Sequence, residues 1–241
     1  MIKFFRKIRQ NLLSEGKTGK YFKYAVGEIV LVVIGILIAL QINNWNEQGK
    51  VDGEILKTLN EIRSNLISDS LSIRDTRILK SDDINIQYTV IHELESRNIP
   101  YDSIEYHLGR VMLARRIVLV DNGYQLMKKF GLEQLKNQEL RNELINYYTN
   151  FTKRINNDTA DDDYEFITVY LPYVRNRFLD YNWSKQGVPA DYEHLKCDQY
   201  FLTSLKTNIK NQESTLEQLQ NGTRKIQEIL PMLDETILAY E

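Results

Sequence analysis

The sequence of 241 residues has little of what stabilises or equips many small proteins. It contains one cysteine, Cys197, four prolines and three histidines. A single cysteine cannot form a disulfide within the chain, so a folded domain must rely on its apolar core. We expect Cys197 to be a small packed residue, with an intermolecular disulfide as the alternative. The scarcity of proline and a charged fraction of 27% favour folded over disordered structure.

An excess of charge of one sign is also missing. The chain has 31 lysines and arginines against 33 aspartates and glutamates, a formal net charge of -2. Proteins that bind nucleic acid present a basic surface, because they must neutralise phosphates. We therefore predict no nucleic-acid partner.

Motifs for catalysis and for cofactors are absent as well. There is no Gly-x-Ser-x-Gly elbow, no glycine-rich phosphate loop and no dinucleotide fingerprint. His92, His107 and His194 lack the spacing of zinc ligands, and the acids of residues 158–165 lack the alternation and central glycine of an EF-hand. We predict no catalytic residue, no cofactor and no metal ligand, hence a protein that is not an enzyme. An enzyme with dispersed catalytic groups and a loose calcium site are the alternatives.

One long hydrophobic run is present at residues 21–45, YFKYAVGEIVLVVIGILIALQINNW. A bilayer core needs roughly 20 helical residues, and the aromatic residues at both ends suit the two interfaces. Cationic residues dominate before the run and acidic residues after it. Since positive charge stays on the cytoplasmic side, we predict a transmembrane helix that leaves residues 1–20 in the cytoplasm and 46–241 outside. A cleavable signal peptide is the alternative, although no small-x-small cleavage site follows the run.

The residues before the span predict a basic amphipathic leader, at 1–20. Lys3, Arg6, Lys7 and Arg9 flank an apolar side of the helix that this segment would form. Such a helix lies on a bilayer and is attracted to the anionic lipids of its inner leaflet. We therefore predict the lipid bilayer itself as a partner of this segment.

Inside the span, Glu28, Gly35 and Ala39 share one helical face. A carboxyl group is costly in a membrane, and small residues four apart let two helices approach closely. This face predicts contact with another transmembrane helix, either of a second copy or of a partner. The alternative is a carboxylate that reaches the lipid headgroups.

Residues 46–241 are enough for one domain, and their periodicity predicts an all-α fold. Apolar residues at 55, 59, 62, 66 and 73 predict a long first helix over 51–77, followed by a second helix over 81–97. The strongest pattern lies near the other end, where spacings of three and four run unbroken from 202 to 237. We predict that this last helix pairs with the first one in a helical bundle.

The middle of the domain gives weaker patterns. Residues 117–120 are read as a helix end or a buried loop, and 124–130 as a short helix that Gly131 ends. Residues 156–163 are rich in acids and predict a loop, while 179–194, with a glycine and a proline, predict irregular structure.

Two stretches resemble a known family. They are GEIVLVVIGILIALQINNWNE at 27–47, preceded by the basic MIKFFRKIR at 1–9, and LKNQELRNELINYY at 135–148. Both resemble DUF6090, a family of membrane proteins of unknown function from Bacteroidota. The resemblance implies a single-pass protein of the inner membrane of a Gram-negative bacterium, with its folded part in the periplasm. It supplies no activity, cofactor or site residue.

Together these patterns predict a membrane-anchored module for protein interaction or scaffolding, which presents a helical ectodomain in the periplasm. Its partner would be a second copy or another membrane or periplasmic protein. The alternative is a ligand-sensing ectodomain that signals through the transmembrane helix to a partner. A membrane-anchored enzyme is the third reading.

Overall fold

A computed structural model describes residues 18–96, 100–111 and 113–240 of the protein. The chain divides into two compact units, Met1–Glu54 and Ile55–Glu241, and the boundary falls within the first helix, α1, Thr18–Ser96. The predicted contacts of Lys3, Arg6, Lys7 and Arg9 with lipid lie outside the described residues.

In the first unit, every described residue from 18 to 54 is helical. This part of α1 contains an 18-residue window with a mean hydropathy of 2.6, none of which is buried. The helix is therefore long and apolar enough to cross a membrane. The predicted span at 21–45 lies within it, while its orientation stays a prediction.

The second unit consists of the rest of α1 and a series of shorter elements that end in another long helix. In chain order they are α2 (Tyr101–Leu108), α3 (Asn122–Phe130), a 3-10 turn (Leu132–Gln134), α4 (Gln138–Asn146), a first π turn (Tyr147–Phe151), α5 (Thr152–Glu165), a second π turn (Phe166–Tyr170), α6 (Leu171–Arg177), β1 (Phe178–Asn182), β2 (Gln186–Pro189), α7 (Tyr192–Leu195) and α8 (Gln199–Leu238). Helix accounts for 83% of the described residues and strand for 4%, which confirms the all-α prediction and the long first and last helices.

The pairing of α1 with α8 organises this unit. Arg63 Nε lies 2.6 Å from Asp234 Oδ1, and Lys206 Nζ lies 2.7 Å from Glu95 Oε1. Because the residue number rises along α1 while it falls along α8, the two helices run antiparallel. A side-chain hydrogen bond fixes where α8 begins, since the carboxylate of Asp198 accepts from the backbone N–H of Phe201 as an N-cap.

Two apolar clusters lie along this pair of helices. The first contains Ile55, Leu59, Ile62, Leu66 and Ile73 of α1, with side chains of α3, α4 and α8. The second contains side chains from further along α1 and from near the start of α8, together with residues of α2, α6 and α7. The members from the two long helices are Ile84, Ile86, Val90, Ile91, Leu94, Phe201, Leu202, Leu205 and Ile209. Both long helices therefore contribute to both clusters, as their predicted apolar stripes require.

Two predicted helix boundaries are wrong. The structure has no break between residues 77 and 81, since α1 continues through them to Ser96. Lys80, in the middle of the predicted break, is buried and binds Asp162, so it does not mark an exposed turn. The predicted acidic loop at 156–163 is likewise helical and belongs to α5, where two of its acids, Asp162 and Asp163, bind Lys80 and Arg116.

The region predicted to be least regular contains an antiparallel hairpin. Strand β1 pairs with β2 in the register Tyr181↔Gly187, and Ser184 in the connecting loop has a φ of 66°. The hairpin packs on α2: the Tyr181 hydroxyl donates to Leu108 O at 2.6 Å, and a side chain at Gly109 would collide with the backbone of Gln186. These short strands are therefore stabilised by their contact with α2, since their sequences do not alternate apolar and polar residues.

Residues 113–121 form no helix or strand, so 117–120 are a loop as one of the two readings predicted. The loop is not buried, however, since Val118 is 76% exposed. The short helix that ends at Gly131 is also confirmed as α3, and Gly131 has a φ of 98°. The expectation for Cys197 is wrong, because this residue is exposed in the turn between α7 and α8.

Candidate functional site

A row of polar side chains lies on the inner face of α1 where the two apolar clusters meet. Thr76, Lys80, Asp83 and Gln87 are between 1% and 8% exposed. They follow the spacing of four and three that also turns the apolar residues of α1 inward. Burying polar groups is costly unless they find partners, so their contacts decide whether this polar layer is tolerated.

Lys80 and Asp162 form a buried ion pair between α1 and α5. Lys80 Nζ lies 2.5 Å from Asp162 Oδ2, and the two side chains are 2% and 8% exposed. The pair crosses the unit between residues that are 82 apart in sequence. Removing one member would leave the other as an unpaired buried charge, which is strongly unfavourable.

Asp83 holds the loop between α2 and α3 against α1. Arg115 of this loop donates to both carboxylate oxygens of Asp83, at 2.6 and 2.9 Å. The neighbouring Arg110 donates to Asp82 at 2.5 Å. A two-pronged arginine–carboxylate contact fixes orientation as well as position, so this loop is tied down without secondary structure of its own.

A second buried carboxylate, Asp69, lies within the first apolar cluster. It accepts hydrogen bonds from the Val120 backbone N–H and from the Tyr147 hydroxyl, both at 2.8 Å. Burial raises the pKa of Asp69 to about 6, and these two hydrogen bonds offset only part of the rise. Asp69 therefore binds its proton more tightly than an ordinary aspartate does.

Tyrosines of the first π turn surround Asp69. The ring of Tyr148 stacks on Tyr124 with 4.6 Å between centroids, and its buried hydroxyl has no hydrogen-bond partner among the described residues. The ring of Phe151 rests on the backbone of α8 at Gly222, where a Cβ would collide with it. The π turn, which holds one extra residue, contains both Tyr147, which is buried in the core, and Phe151, which reaches α8.

Two adjoining grooves flank α5. One, of about 670 Å³, is lined by residues that include Arg154, Asp158, Asp161 and Lys225. The other, of about 470 Å³, shares Asp158 and Asp161 and extends to Asp162. Burial raises the pKa of Asp158, while the nearby Arg154 opposes the rise. Asp162 therefore lines one of these grooves and is also a member of the buried Lys80–Asp162 pair.

A third groove of about 770 Å³ lies between α1 and α8, and we call it the α1–α8 groove. Its apolar lining residues are Ile78 and Leu216. The α1 side carries Arg74, Arg77 and Asp82, and the α8 side carries Glu213 and Glu217. The groove is therefore partly apolar, with charges of both signs on its α1 side and acids on its α8 side.

The exposed side of α1 next to this groove carries an apolar strip. Ile67, Leu71 and Ile78 are 39%, 48% and 62% exposed. Their spacings of four and seven residues place them on one helical face. Single exposed apolar residues are ordinary, whereas a strip on one face is typical of an interaction surface.

The predicted interaction face of the span lies on the first unit's part of α1. Gly35 and Ala39 are exposed and Glu28 is half-buried. A side chain at Gly35 would meet no atom within 4 Å, so the face is open to close approach. Its role in binding another helix stays a prediction.

The model of DUF6090, described as a family of unknown function, matches residues 28–155, more than half of the chain. The chain belongs to DUF6090. No curated protein and no solved structure matches it.

The DUF6090 match begins at Glu28 and includes both carboxylates of α1 that face inward, Asp69 and Asp83, with their partners Tyr147 and Arg115. It ends before Asp162 and α8. The matched part therefore contains only one side of the Lys80–Asp162 pair and one rim of the α1–α8 groove.

Neither the buried polar layer nor the α1–α8 groove was found from the sequence. Within the residues that the structure describes, no group of three or more His, Cys, Asp or Glu could hold a metal ion. The signal for the polar layer was present, since positions 76, 80, 83 and 87 continue the spacing of the first apolar stripe. Charged residues are ordinarily exposed, whereas Lys80 and Asp83 face inward despite their charge, so the spacing alone did not predict the polar layer.

Proposed function

We propose that the protein is a membrane-anchored interaction module, without enzymatic activity, that presents its helical unit to a protein partner. The span at 21–45 would anchor it in the inner membrane, with residues 1–20 in the cytoplasm and the helical unit in the periplasm. The excess of cationic residues before the span supports this orientation. The basic leader would bind anionic lipids of the inner leaflet through Lys3, Arg6, Lys7 and Arg9.

The observation that carries this proposal is the strip of Ile67, Leu71 and Ile78. These three side chains are exposed along one face of a helix whose opposite face already supplies the core. A protein partner would remove this apolar surface from water, which favours association.

Photo-crosslinking of the full chain in its native membrane tests the proposal. A photoreactive amino acid replaces Leu71 in one variant and Glu193, which is 80% exposed on α7, in the control. We expect a protein adduct of defined mass from position 71 and none from position 193. Equal labelling at the two positions would contradict a partner at the strip.

The second candidate is ligand sensing, which the grooves beside α5 favour because their carboxylates adjoin the buried Lys80–Asp162 pair. An organic cation bound by Asp158 and Asp161 could then act on a contact between α1 and α5. A rise in the melting temperature of the detergent-solubilised protein with added spermidine, lost in Asp158→Asn/Asp161→Asn, would support this candidate. No rise in the unaltered protein would count against it.

A further inference from the structure

We propose that the larger of the two grooves beside α5 binds a neutral chain of β-1,4-linked sugars. We call this groove, of about 670 Å³, the amide groove, because five of its lining residues carry a primary amide. They are Asn146, Asn150, Asn157, Gln218 and Asn221. The inference goes beyond the proposed interaction function and does not depend on the apolar strip of α1.

The amides keep hydrogen-bonding groups for a ligand. Asn150 Nδ2 donates to Asn146 Oδ1 at 2.9 Å, and Arg154 donates to Gln218 Oε1 at 3.1 Å. Among the described residues, the N–H groups of Asn146 and Gln218 have no partner, and neither does the side chain of Asn157. A sugar hydroxyl both donates and accepts, so a wall that offers unused amide donors and acceptors suits it.

An aromatic ring lies among these amides. Phe151 lines the groove, is half-buried, and rests on the α8 backbone at Gly222. The C–H face of a pyranose ring is apolar and packs on an aromatic ring, while its hydroxyls extend to polar side chains. Phe151 belongs to the first π turn, and four of the five residues of this turn line the groove. Such turns occur frequently at functional sites.

Charged groups of both signs also line the groove, and they nearly balance. The bases are Lys153, Arg154 and Lys225, and the acids are Asp158 and Asp161. Lys225 binds Glu143 and Glu228, at 2.9 and 3.2 Å. Arg154 and Asp158 lie four residues apart on α5 and attract each other. The groove thus has no large excess of one charge, which suits a neutral ligand.

The spacing of the amides favours a sugar chain over a peptide. Asn146, Asn150 and Asn157 recur at intervals of one and two helical turns. Each turn advances by about 5.4 Å, and an extended β-1,4-linked chain advances by a similar length per sugar. An extended peptide presents the same side only every second residue, about 6.6 Å. Its polar groups would therefore fall out of step with the amides within a few turns.

Calorimetric titration of the full chain, in a detergent without a sugar headgroup, tests the inference. The two probes are the β-1,4-linked tetramers of N-acetylglucosamine and of glucose. We expect binding of at least one tetramer, and a preference between them shows whether acetamido groups contribute. An octapeptide of alternating alanine and glycine is the comparison ligand and should not bind.

Asn150→Ala/Asn157→Ala removes two of the amides at exposed positions, so the fold should be preserved. The affinity of this variant for the tetramer should fall about tenfold or more, because each lost hydrogen bond weakens binding. The matched control, Asn142→Ala/Asn156→Ala, removes two exposed amides that do not line the groove. It should bind the tetramer as the unaltered protein does.

Three results would each overturn the inference: no binding of either tetramer, equal affinities in the groove variant and the control, or binding of the octapeptide in place of the tetramers. Crosslinking at position 71 and the melting temperature with spermidine are separate measurements. The proposed function and its second candidate can therefore stand or fail independently of this site.

Discussion

Asp69 and Lys80 show how buried charges are accommodated in this protein. Asp69 satisfies its carboxylate with a backbone N–H and a hydroxyl, whereas Lys80 has an opposite charge at 2.5 Å. The difference matters because hydrogen bonds offset only part of the desolvation of Asp69. The two residues should therefore respond differently to pH and to substitution.

Replacing Asp69 should change how stability depends on pH. Its folded-state pKa of about 6 lies above the ordinary value of 3.8, so the folded protein binds this proton more tightly. Asp69 therefore contributes about 3 kcal/mol to the free energy of unfolding below about pH 4, and this contribution is lost as the pH rises to about 6. We expect Asp69→Asn, followed by urea unfolding at several pH values, to lack this loss.

Tyr147→Phe serves as the matched variant, because it removes a hydrogen bond that favours the Asp69 carboxylate. Its loss of stability with rising pH should be larger and should extend to higher pH than in the unaltered protein. A pH dependence equal in all three proteins would contradict the assignment to Asp69.

Lys80→Met should lower the free energy of unfolding by about 3–5 kcal/mol, because Asp162 is left as an unpaired buried charge. Lys80→Met/Asp162→Asn should recover most of this loss, since neither residue is then charged. Lys206→Met removes an exposed ion pair with Glu95 and should cost at most about 1 kcal/mol. Urea unfolding followed by circular dichroism measures all three, and equal losses in Lys80→Met and Lys206→Met would show that burial does not matter here.

At the scale of elements, the sequence predicted the two long helices because their apolar residues recur at constant spacing. It failed where a contact elsewhere in the chain decides the structure. The pattern predicts Lys80 outside a helix although Asp162 pairs with it within one, and β1 and β2 depend on the surface of α2. The α1–α8 groove could not be predicted either, since its rims come from residues far apart in sequence.

Gly222 marks the contact between the first π turn and α8. Gly222→Ala should lower the free energy of unfolding by about 1–3 kcal/mol, because the new methyl group would collide with Phe151 and force repacking. Gly49→Ala is the control, since a Cβ there meets no atom within 4 Å. The control should be neutral or slightly stabilising, because alanine favours helix over glycine. Similar losses of stability in both variants would rule out the ring contact as the cause.

At the scale of the whole molecule, the sequence predicts a membrane protein of one orientation. The unburied apolar segment of α1 is consistent with a span, and the charges on either side of it give the direction. Membership of DUF6090 adds the family and leaves the orientation and the Bacteroidota origin as predictions.

A reporter fused after residue 241 tests the orientation. We expect alkaline phosphatase, which is active only in the periplasm, to be active there, and a fluorescent protein that folds only in the cytoplasm to stay dark. Reversing Lys3, Arg6, Lys7 and Arg9 to acids should reduce the phosphatase activity, because the positive charges that hold the leader inside are removed. The opposite pattern of reporter activity would overturn the proposed topology.

The antiparallel pairing of α1 with α8 also sets the order of events during synthesis. Arg63 and Asp234 are 171 residues apart, and α8 supplies side chains to both apolar clusters. At about 5–20 residues per second, roughly 10–30 s pass between the synthesis of these two partners. Throughout that interval the inward face of α1 lacks the part of its cover that α8 supplies. A nascent chain stalled before α8 should therefore be a substrate for chaperones and proteases, whereas a finished chain should not.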